Sequence, residues 1–275
     1  MIEALFTHPF LLMALFAGLA ASITSGIMGS FVVVKRIVFI SGSISHSVLG
    51  GMGLFLWLKR TFDIEWLMPM QGAIVAAILS ALLIGWIHLK YREREDTVIA
   101  ALWSTGMSVG VIFIALTPGY NVELMHYLFG NILWVTKNDL WMLLILDVVV
   151  IGIVALFRTQ FIAICFDEQQ ARLQKVRVKF FYLLLLCLIA LSVVLLIQVV
   201  GAILVIAMLA IPAAIATTLT HRFGKLLLFS VLIGGVVCFF GIGASYKLNW
   251  PPGATIALVG SALYLANFVL RKKSF

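Results

Sequence analysis

The sequence has 275 residues, of which 63% are hydrophobic and 11% are charged, and its formal net charge is +8. The mean hydropathy is +1.17. This composition excludes a water-soluble globular protein, because even a folded core leaves much of such a chain facing solvent. No GxxxxGK[ST] stretch occurs, so we expect no nucleotide-binding P-loop. The three cysteines form no CxxC pair, which argues against structural zinc.

Apolar stretches follow one another along the chain, and each approaches the 20 or so residues that a transmembrane helix requires. They cover 10–34, 37–58, 67–89, 97–117, 140–157, 180–199, 200–219, 225–246 and 252–270. Only Gln198 and Gly201 interrupt the block 180–219, and 37–58 could be a broken or half-inserted helix. The sequence therefore predicts an all-α integral membrane protein, a polytopic bundle of eight or nine transmembrane helices in a single domain, 1–275.

Lysine and arginine gather in alternate loops, which is the pattern that marks the cytoplasmic side of membrane proteins. The basic positions are Lys35 and Arg36, Lys90, Arg92 and Arg94, the segment 158–179, Arg222 and Lys225, and the segment 271–273. The pattern predicts an outside N-terminus, nine crossings and a cytoplasmic C-terminus, and it explains the positive charge without nucleic-acid binding. No basic region precedes the first apolar stretch, so we expect a retained helix and not a cleaved signal.

The second apolar stretch contains His46, with Ser41, Ser43, Ser45 and Ser47 close to it in sequence. An imidazole in the bilayer interior is costly unless it is paired or hydrated, and neutral histidine is a common metal ligand. The alternative is a histidine that forms a hydrogen bond across a helix interface rich in small residues. Residue chemistry leaves both alternatives open.

Five segments resemble, in the same order, motifs of the permease subunits of metal-ion ABC importers, which carry zinc, manganese or iron(II). They are 29–51, 95–107, 121–133, 200–214 and 250–255. The resemblance, in register from about residue 25 to 260, implies a multi-pass permease of a bacterial plasma (inner) membrane. It also implies that the chain has no ATPase site of its own and no permanently bound cofactor, and that a divalent metal ion is the transported substrate.

The same resemblance implies a set of partners within the lipid bilayer and on both of its sides. ABC ATPase subunits would bind on the cytoplasmic side, and an extracellular or periplasmic metal-binding protein would deliver the ion. A second permease subunit would complete a homodimer or heterodimer.

One position departs from the family pattern. The motif places an aspartate four residues before the histidine, so that carboxylate and imidazole share a helix face as metal ligands. Here that position is Gly42, while the histidine is present as His46. We expect either a looser metal site or an acid from another helix, for which Asp147 is the candidate. The alternative for Asp147 is a charge that lies near a helix end or is paired within the bundle. Glu123 could meet the incoming ion, and its alternative is a local cap or hydrogen bond.

The segment after Pro212 leads into a basic turn on the predicted cytoplasmic side. Proline lacks an amide donor and tends to break a helix, so we expect a short helix along the membrane surface after it. The resemblance implies that this segment contacts the ATPase, through Pro212, Ala213, Ala214, Thr217, Thr218, His221 and Arg222. The alternative is a simple kink between two crossings.

Two other classes of function are considered from the residues. A secondary transporter driven by protons or sodium could use Asp147 and His46 as a relay, although the sequence shows no convincing internal repeat. An intramembrane enzyme could use His46, but no HExxH or GxSxG motif accompanies it. The favoured prediction is the ABC permease.

Overall fold

The structure is a computed structural model, which describes residues 9–91, 95–118 and 132–272. These residues form eleven α-helices and one short 3-10 helix, Ile132–Trp134. The α-helices are α1 (Pro9–Val34), α2 (Val38–Phe62), α3 (Pro69–Tyr91), α4 (Glu95–Leu116), α5 (Lys137–Leu156), α6 (Arg158–Phe166), α7 (Glu168–Leu173), α8 (Val178–Val200), α9 (Ala202–Leu219), α10 (Phe223–Leu248) and α11 (Pro252–Lys272).

Nine of the helices in the described ranges are long and apolar enough to cross a membrane, and they coincide with the nine apolar stretches. The prediction of an all-α polytopic protein is therefore confirmed. The segment 37–58 is not broken, because α2 runs continuously to Phe62. Gly201 separates α8 from α9 with a φ of 83°, a backbone conformation that glycine adopts without a steric penalty.

Two long helices end on residues with left-handed backbone conformations. Asp63 follows α2 with a φ of 55°, and Asn249 follows α10 with a φ of 54°. Their backbone N–H groups donate to the carbonyl oxygens of Lys59 and Ser245, respectively. Such caps satisfy carbonyl groups that the end of a helix otherwise leaves without a partner.

Pro212 lies inside α9, so the prediction that the helix breaks at this residue is wrong. The proline is buried, and it lines a void of about 10 Å³ together with Val237 of α10 and Ile256 of α11. A helix within a membrane resists breaking, because lipid offers no hydrogen bonds to a released backbone. The helix ends at Leu219, and the turn that follows is limited to residues 220–222.

The chain divides into two compact units. Among the described residues, unit 1 comprises 9–36, 132–153 and 195–272, and unit 2 comprises 37–91, 95–118 and 154–194. The chain passes from one unit to the other between α1 and α2, within α5 and within α8. Each unit therefore combines separate pieces of the sequence. The single permease domain stays a prediction.

In unit 1, α1 packs against α9 and α10, and α9, α10 and α11 pack against one another. Gly29 of α1 lies directly against the carbonyl group of Leu209, where a Cβ atom would overlap it. The Ser30 hydroxyl donates to the Ser230 hydroxyl at 2.9 Å and so links α1 to α10. Small residues permit this close approach, as is usual between membrane helices.

In unit 2, α2 packs against both α3 and α4. Gly51 of α2 lies against the backbone of Gly72 in α3, and a Cβ atom at either glycine would overlap the other's carbonyl oxygen. The middle of α2 is therefore in direct backbone contact with α3.

The basic segment 158–179 contains α6 and α7, and Asp167 caps α7 by accepting hydrogen bonds from two backbone N–H groups.

Candidate functional site

The contact between α2 and α4 determines what surrounds His46. A Cβ atom at Gly50 would lie 2.8 Å from the carbonyl oxygen of Gly106, and one at Gly53 would lie 2.8 Å from that of Gly110. The contacts advance in the same direction along both helices, so α2 and α4 run parallel here. Because backbone meets backbone, the separation and the register of the two helices are fixed near the histidine.

The four serines near the histidine direct their hydroxyl groups to the backbone. Ser43 donates to the carbonyl oxygen of Ile99 in α4 at 3.1 Å, which adds a polar link between the helices. Ser47 donates to the Ser43 carbonyl oxygen at 2.9 Å. The hydroxyl groups of Ser41 and Ser45 donate to carbonyl oxygens of α2 itself. The four hydroxyl groups are thus satisfied by backbone carbonyls, and that of Ser43 also links α2 to α4.

Trp103 of α4 stacks on His46, with ring centroids 4.6 Å apart and an angle of 19° between the planes. The Nδ1 atom of His46 is buried and has no hydrogen-bond partner among the described residues. The histidine side chain as a whole is partly exposed. Because Nδ1 is buried, a ligand would have to reach the exposed part of the ring, and neutral imidazole can bind a metal through either ring nitrogen.

Trp103 also occupies the space next to Gly42, the position where the family motif has an aspartate. A Cβ atom at Gly42 would lie 2.8 Å and 3.1 Å from two carbons of the indole's six-membered ring. Any side chain at this position therefore requires the indole to move. The sequence analysis missed Trp103, and the available signal was its position in the segment 95–107, one of the five that resemble family motifs.

Asp147 lies in α5 of unit 1, whereas His46 belongs to unit 2. Its side chain is 4% exposed, and its Oδ1 atom accepts a hydrogen bond of 2.5 Å from the Thr24 hydroxyl. Its Oδ2 atom is buried and has no hydrogen-bond partner in the described part of the chain. No group of three or more His, Cys, Asp and Glu side chains that could hold a metal occurs within 9–91, 95–118 and 132–272. The role of Asp147 as replacement acid stays a prediction.

The remaining predicted site residues fall into two classes. Glu123 lies outside the described residues, so its role also stays a prediction. Of the predicted ATPase-contact residues, Pro212 and Ala213 are buried, whereas His221 and Arg222 are exposed. Ala214, Thr217 and Thr218 are partly exposed, and the Thr218 hydroxyl accepts a hydrogen bond of 3.1 Å from Asn267 of α11.

A groove of about 300 Å³ opens between α2, α3 and α4 of unit 2. Ser47, the residue after His46, lines it together with Thr105 and Gly106 of α4. Apart from Ser80, the other described residues that line the groove are apolar or glycine, and none is charged. The groove therefore provides no counter-charge to a divalent ion, and the ionisable group nearest to it in sequence is His46.

Comparison with known proteins agrees with the sequence resemblance. The model of a family described as the ABC 3 transport family matches residues 7–271. A Chlamydia pneumoniae protein named "Probable metal transport system membrane protein" is 48% identical over 263 residues, which are 96% of this chain and 89% of the relative. The Listeria monocytogenes "Manganese transport system membrane protein MntC" is 34% identical over 272 residues, which are 99% of this chain and 94% of the relative.

A solved structure gives the same result at the level of the fold. PsaBC from Streptococcus pneumoniae, in complex with Fab, contains a chain that matches with a TM-score of 0.83 and 29% sequence identity. The match covers 97% of this chain and 94% of that chain. The predicted resemblance to metal-importer permeases is confirmed.

Proposed function

The chain belongs to the ABC 3 transport family, and on this premise we propose that it is the membrane-spanning permease subunit of an ATP-driven importer of divalent metal ions. Relatives named as metal and manganese transport system membrane proteins support this substrate class. The observation that carries the proposal is His46, an imidazole inside a transmembrane helix whose Nδ1 atom has no partner among the described residues. Zn²⁺, Mn²⁺ and Fe²⁺ are the candidate ions.

The partners in this proposal follow from the arrangement of the family. A separate substrate-binding protein delivers the ion at the outer face, and a second permease subunit completes the membrane assembly. A pair of ATPase subunits binds on the cytoplasmic face near the α9–α10 turn, where His221 and Arg222 are exposed. The basic residues of alternate loops support a cytoplasmic C-terminus.

In the proposed mechanism, ATP binding and hydrolysis by the partner subunits switch the path between outward-facing and inward-facing states. His46 lines this path and binds the ion transiently. Weak coordination suits such a position, because an ion that is held tightly cannot leave on the other side. One imidazole without the motif's aspartate meets this requirement, and Asp147 and Glu123 remain proposed further ligands.

The test is metal uptake into liposomes that contain the reconstituted permease, its ATPase and its binding protein, with Zn²⁺, Mn²⁺ and Fe²⁺ measured separately. We expect His46→Ala to lower uptake of the transported ion at least about tenfold, as the loss of a path ligand should. Ser108→Ala is the matched control, because that exposed hydroxyl donates only within its own helix. Unchanged uptake of all three ions in the His46 variant would remove the histidine from the path.

The alternative, an ion-coupled secondary transporter, is separated by the same preparation. Under the proposal, uptake requires the ATPase and ATP, and a proton or sodium gradient alone drives none. Metal uptake by the permease alone under such a gradient would replace the ABC proposal with the secondary-transporter one.

A further inference from the structure

We propose that Trp103 is a positioning residue that sets the ion preference of the path by taking the place of the motif's carboxylate beside His46. The inference rests on the proposed function, in which His46 is a ligand of the transported ion. It concerns what surrounds that ligand: an indole face in place of an acid, and therefore a different choice among divalent ions.

Trp103 holds the orientation of the imidazole. Imidazole ligands of metals are normally held by a hydrogen bond from the second ring nitrogen to a carboxylate, a carbonyl or water. The Nδ1 atom of His46 has no such partner among the described residues. The Trp103 ring lies 4.6 Å away and nearly parallel to the imidazole. Stacking therefore replaces the usual hydrogen bond as the contact that holds the imidazole plane.

Trp103 also limits the space beside Gly42. The indole lies so close to Gly42 that even a methyl group there would approach one of its carbons to 2.8 Å. Gly50 and Gly106 hold α2 and α4 in backbone contact, so α4 cannot retreat as a unit without losing that packing. An acid at position 42 therefore requires the Trp103 ring to rotate away from the place that it has here beside Gly42. In this structure the indole, and no acid, occupies the space beside His46 at position 42.

A carboxylate and an indole also differ in charge. A carboxylate brings a full negative charge and a hard oxygen ligand, which suits Mn²⁺, whereas imidazole favours Zn²⁺ and Fe²⁺ over Mn²⁺. An indole face attracts cations only weakly by comparison with an anionic ligand. The exchange of acid for indole therefore weakens binding of every divalent ion, and of Mn²⁺ most. We infer that this permease discriminates against Mn²⁺ relative to Zn²⁺ and Fe²⁺.

The experiment uses the complete reconstituted transporter and measures uptake from equimolar mixtures of Mn²⁺ and Zn²⁺, and of Mn²⁺ and Fe²⁺. The double variant Gly42→Asp/Trp103→Ala restores the acid and removes the indole. We expect its Mn²⁺ uptake relative to Zn²⁺ and to Fe²⁺ to rise about tenfold, the lower end of the range by which groups around a metal ligand change affinity. The control Gly42→Ala/Trp103→Ala creates the same space without charge. Its ratios of Mn²⁺ uptake to Zn²⁺ and to Fe²⁺ uptake should stay near those of Trp103→Ala.

Three single variants test the positioning role. Trp103→Ala should lower uptake of the preferred ion about tenfold, because the imidazole is no longer held. Trp103→Phe retains a stacking ring and should recover most of that loss, whereas Trp103→Leu, which fills space without an aromatic ring, should not. Size-exclusion chromatography of each assembled complex identifies variants that fail to fold.

The results separate this inference from the proposed function. Equal ion ratios in the Gly42→Asp/Trp103→Ala variant and in its alanine control would overturn the inference, as would full uptake by the folded Trp103→Ala complex. If His46→Ala abolishes uptake in the same experiments, the proposed function stands although the inference has failed. If His46→Ala has no effect, the proposed function itself fails.

Discussion

His46 in unit 2 and Asp147 in unit 1 are both ionisable groups inside transmembrane helices, but their surroundings differ. Asp147 is 4% exposed and accepts a short hydrogen bond from Thr24. His46 is partly exposed, lies under an indole, and leaves Nδ1 without a partner among the described residues. Each group thus has one buried polar atom without a partner in the described residues, but only the carboxylate also has a bonded atom, which fits a contact between helices. The partly exposed imidazole has the environment that the proposed ion path needs.

The largest effect that we expect comes from the glycine contacts that build both units. Gly29→Ala and Gly51→Ala each place a methyl group onto a neighbouring backbone carbonyl group, so each should destabilise the permease by about 1–3 kcal/mol. Gly152→Ala is the control, because a Cβ atom there meets nothing within 4 Å. Thermal unfolding of the purified permease in detergent measures the difference. Equal midpoints for Gly29→Ala, Gly51→Ala and Gly152→Ala would show that these contacts do not hold the units.

A smaller effect should distinguish the aspartate site from the histidine site. Thr24→Val keeps the side-chain shape but removes the donor to Asp147, so we expect a loss of about 0.6–1.7 kcal/mol, the range found for hydrogen bonds between membrane helices. Asp147→Asn retains an oxygen that can accept from Thr24, so its stability should stay close to that of the unaltered protein, and its metal uptake tests whether the negative charge serves the ion. Detergent unfolding and liposome uptake are the two measurements.

Metal uptake by Asp147→Asn and by His46→Ala shows whether the two sites have different roles. If the folded Asp147→Asn complex loses metal uptake as His46→Ala does, then Asp147 belongs to the ion path. The aspartate would then be the replacement acid that the sequence analysis considered.

The smallest effect should come from the serine links, one in each unit. Ser30→Ala removes a donor to Ser230 in unit 1, and Ser43→Ala removes a donor to the Ile99 carbonyl group in unit 2. Each should cost about 0.6 kcal/mol. Ser108→Ala, whose hydroxyl is exposed and bonded within its own helix, is the control. A loss in only one of the two variants would show that the units depend unequally on hydroxyl groups.

Sequence reasoning reached the helices more completely than the site. Hydropathy located all the long helices in the described ranges, because the bilayer interior requires long apolar segments and hydrogen-bonded backbone. It misjudged Pro212, since the rule that proline breaks a helix assumes a solvent that can bind the freed backbone groups. The proline instead packs against α10 and α11 within a continuous helix.

Composition and motifs were enough to predict a membrane-spanning chain that resembles metal-importer permeases and has Gly42 where their motif has an acid. The residue that fills the space beside Gly42 becomes apparent only when the helices are packed together. Trp103 lies 61 residues away along the chain, and the glycine contacts between α2 and α4 bring its ring onto both Gly42 and His46. No local pattern encodes that juxtaposition, because it depends on the register of two parallel helices. The space beside Gly42 is thus filled by an indole that comes from another helix.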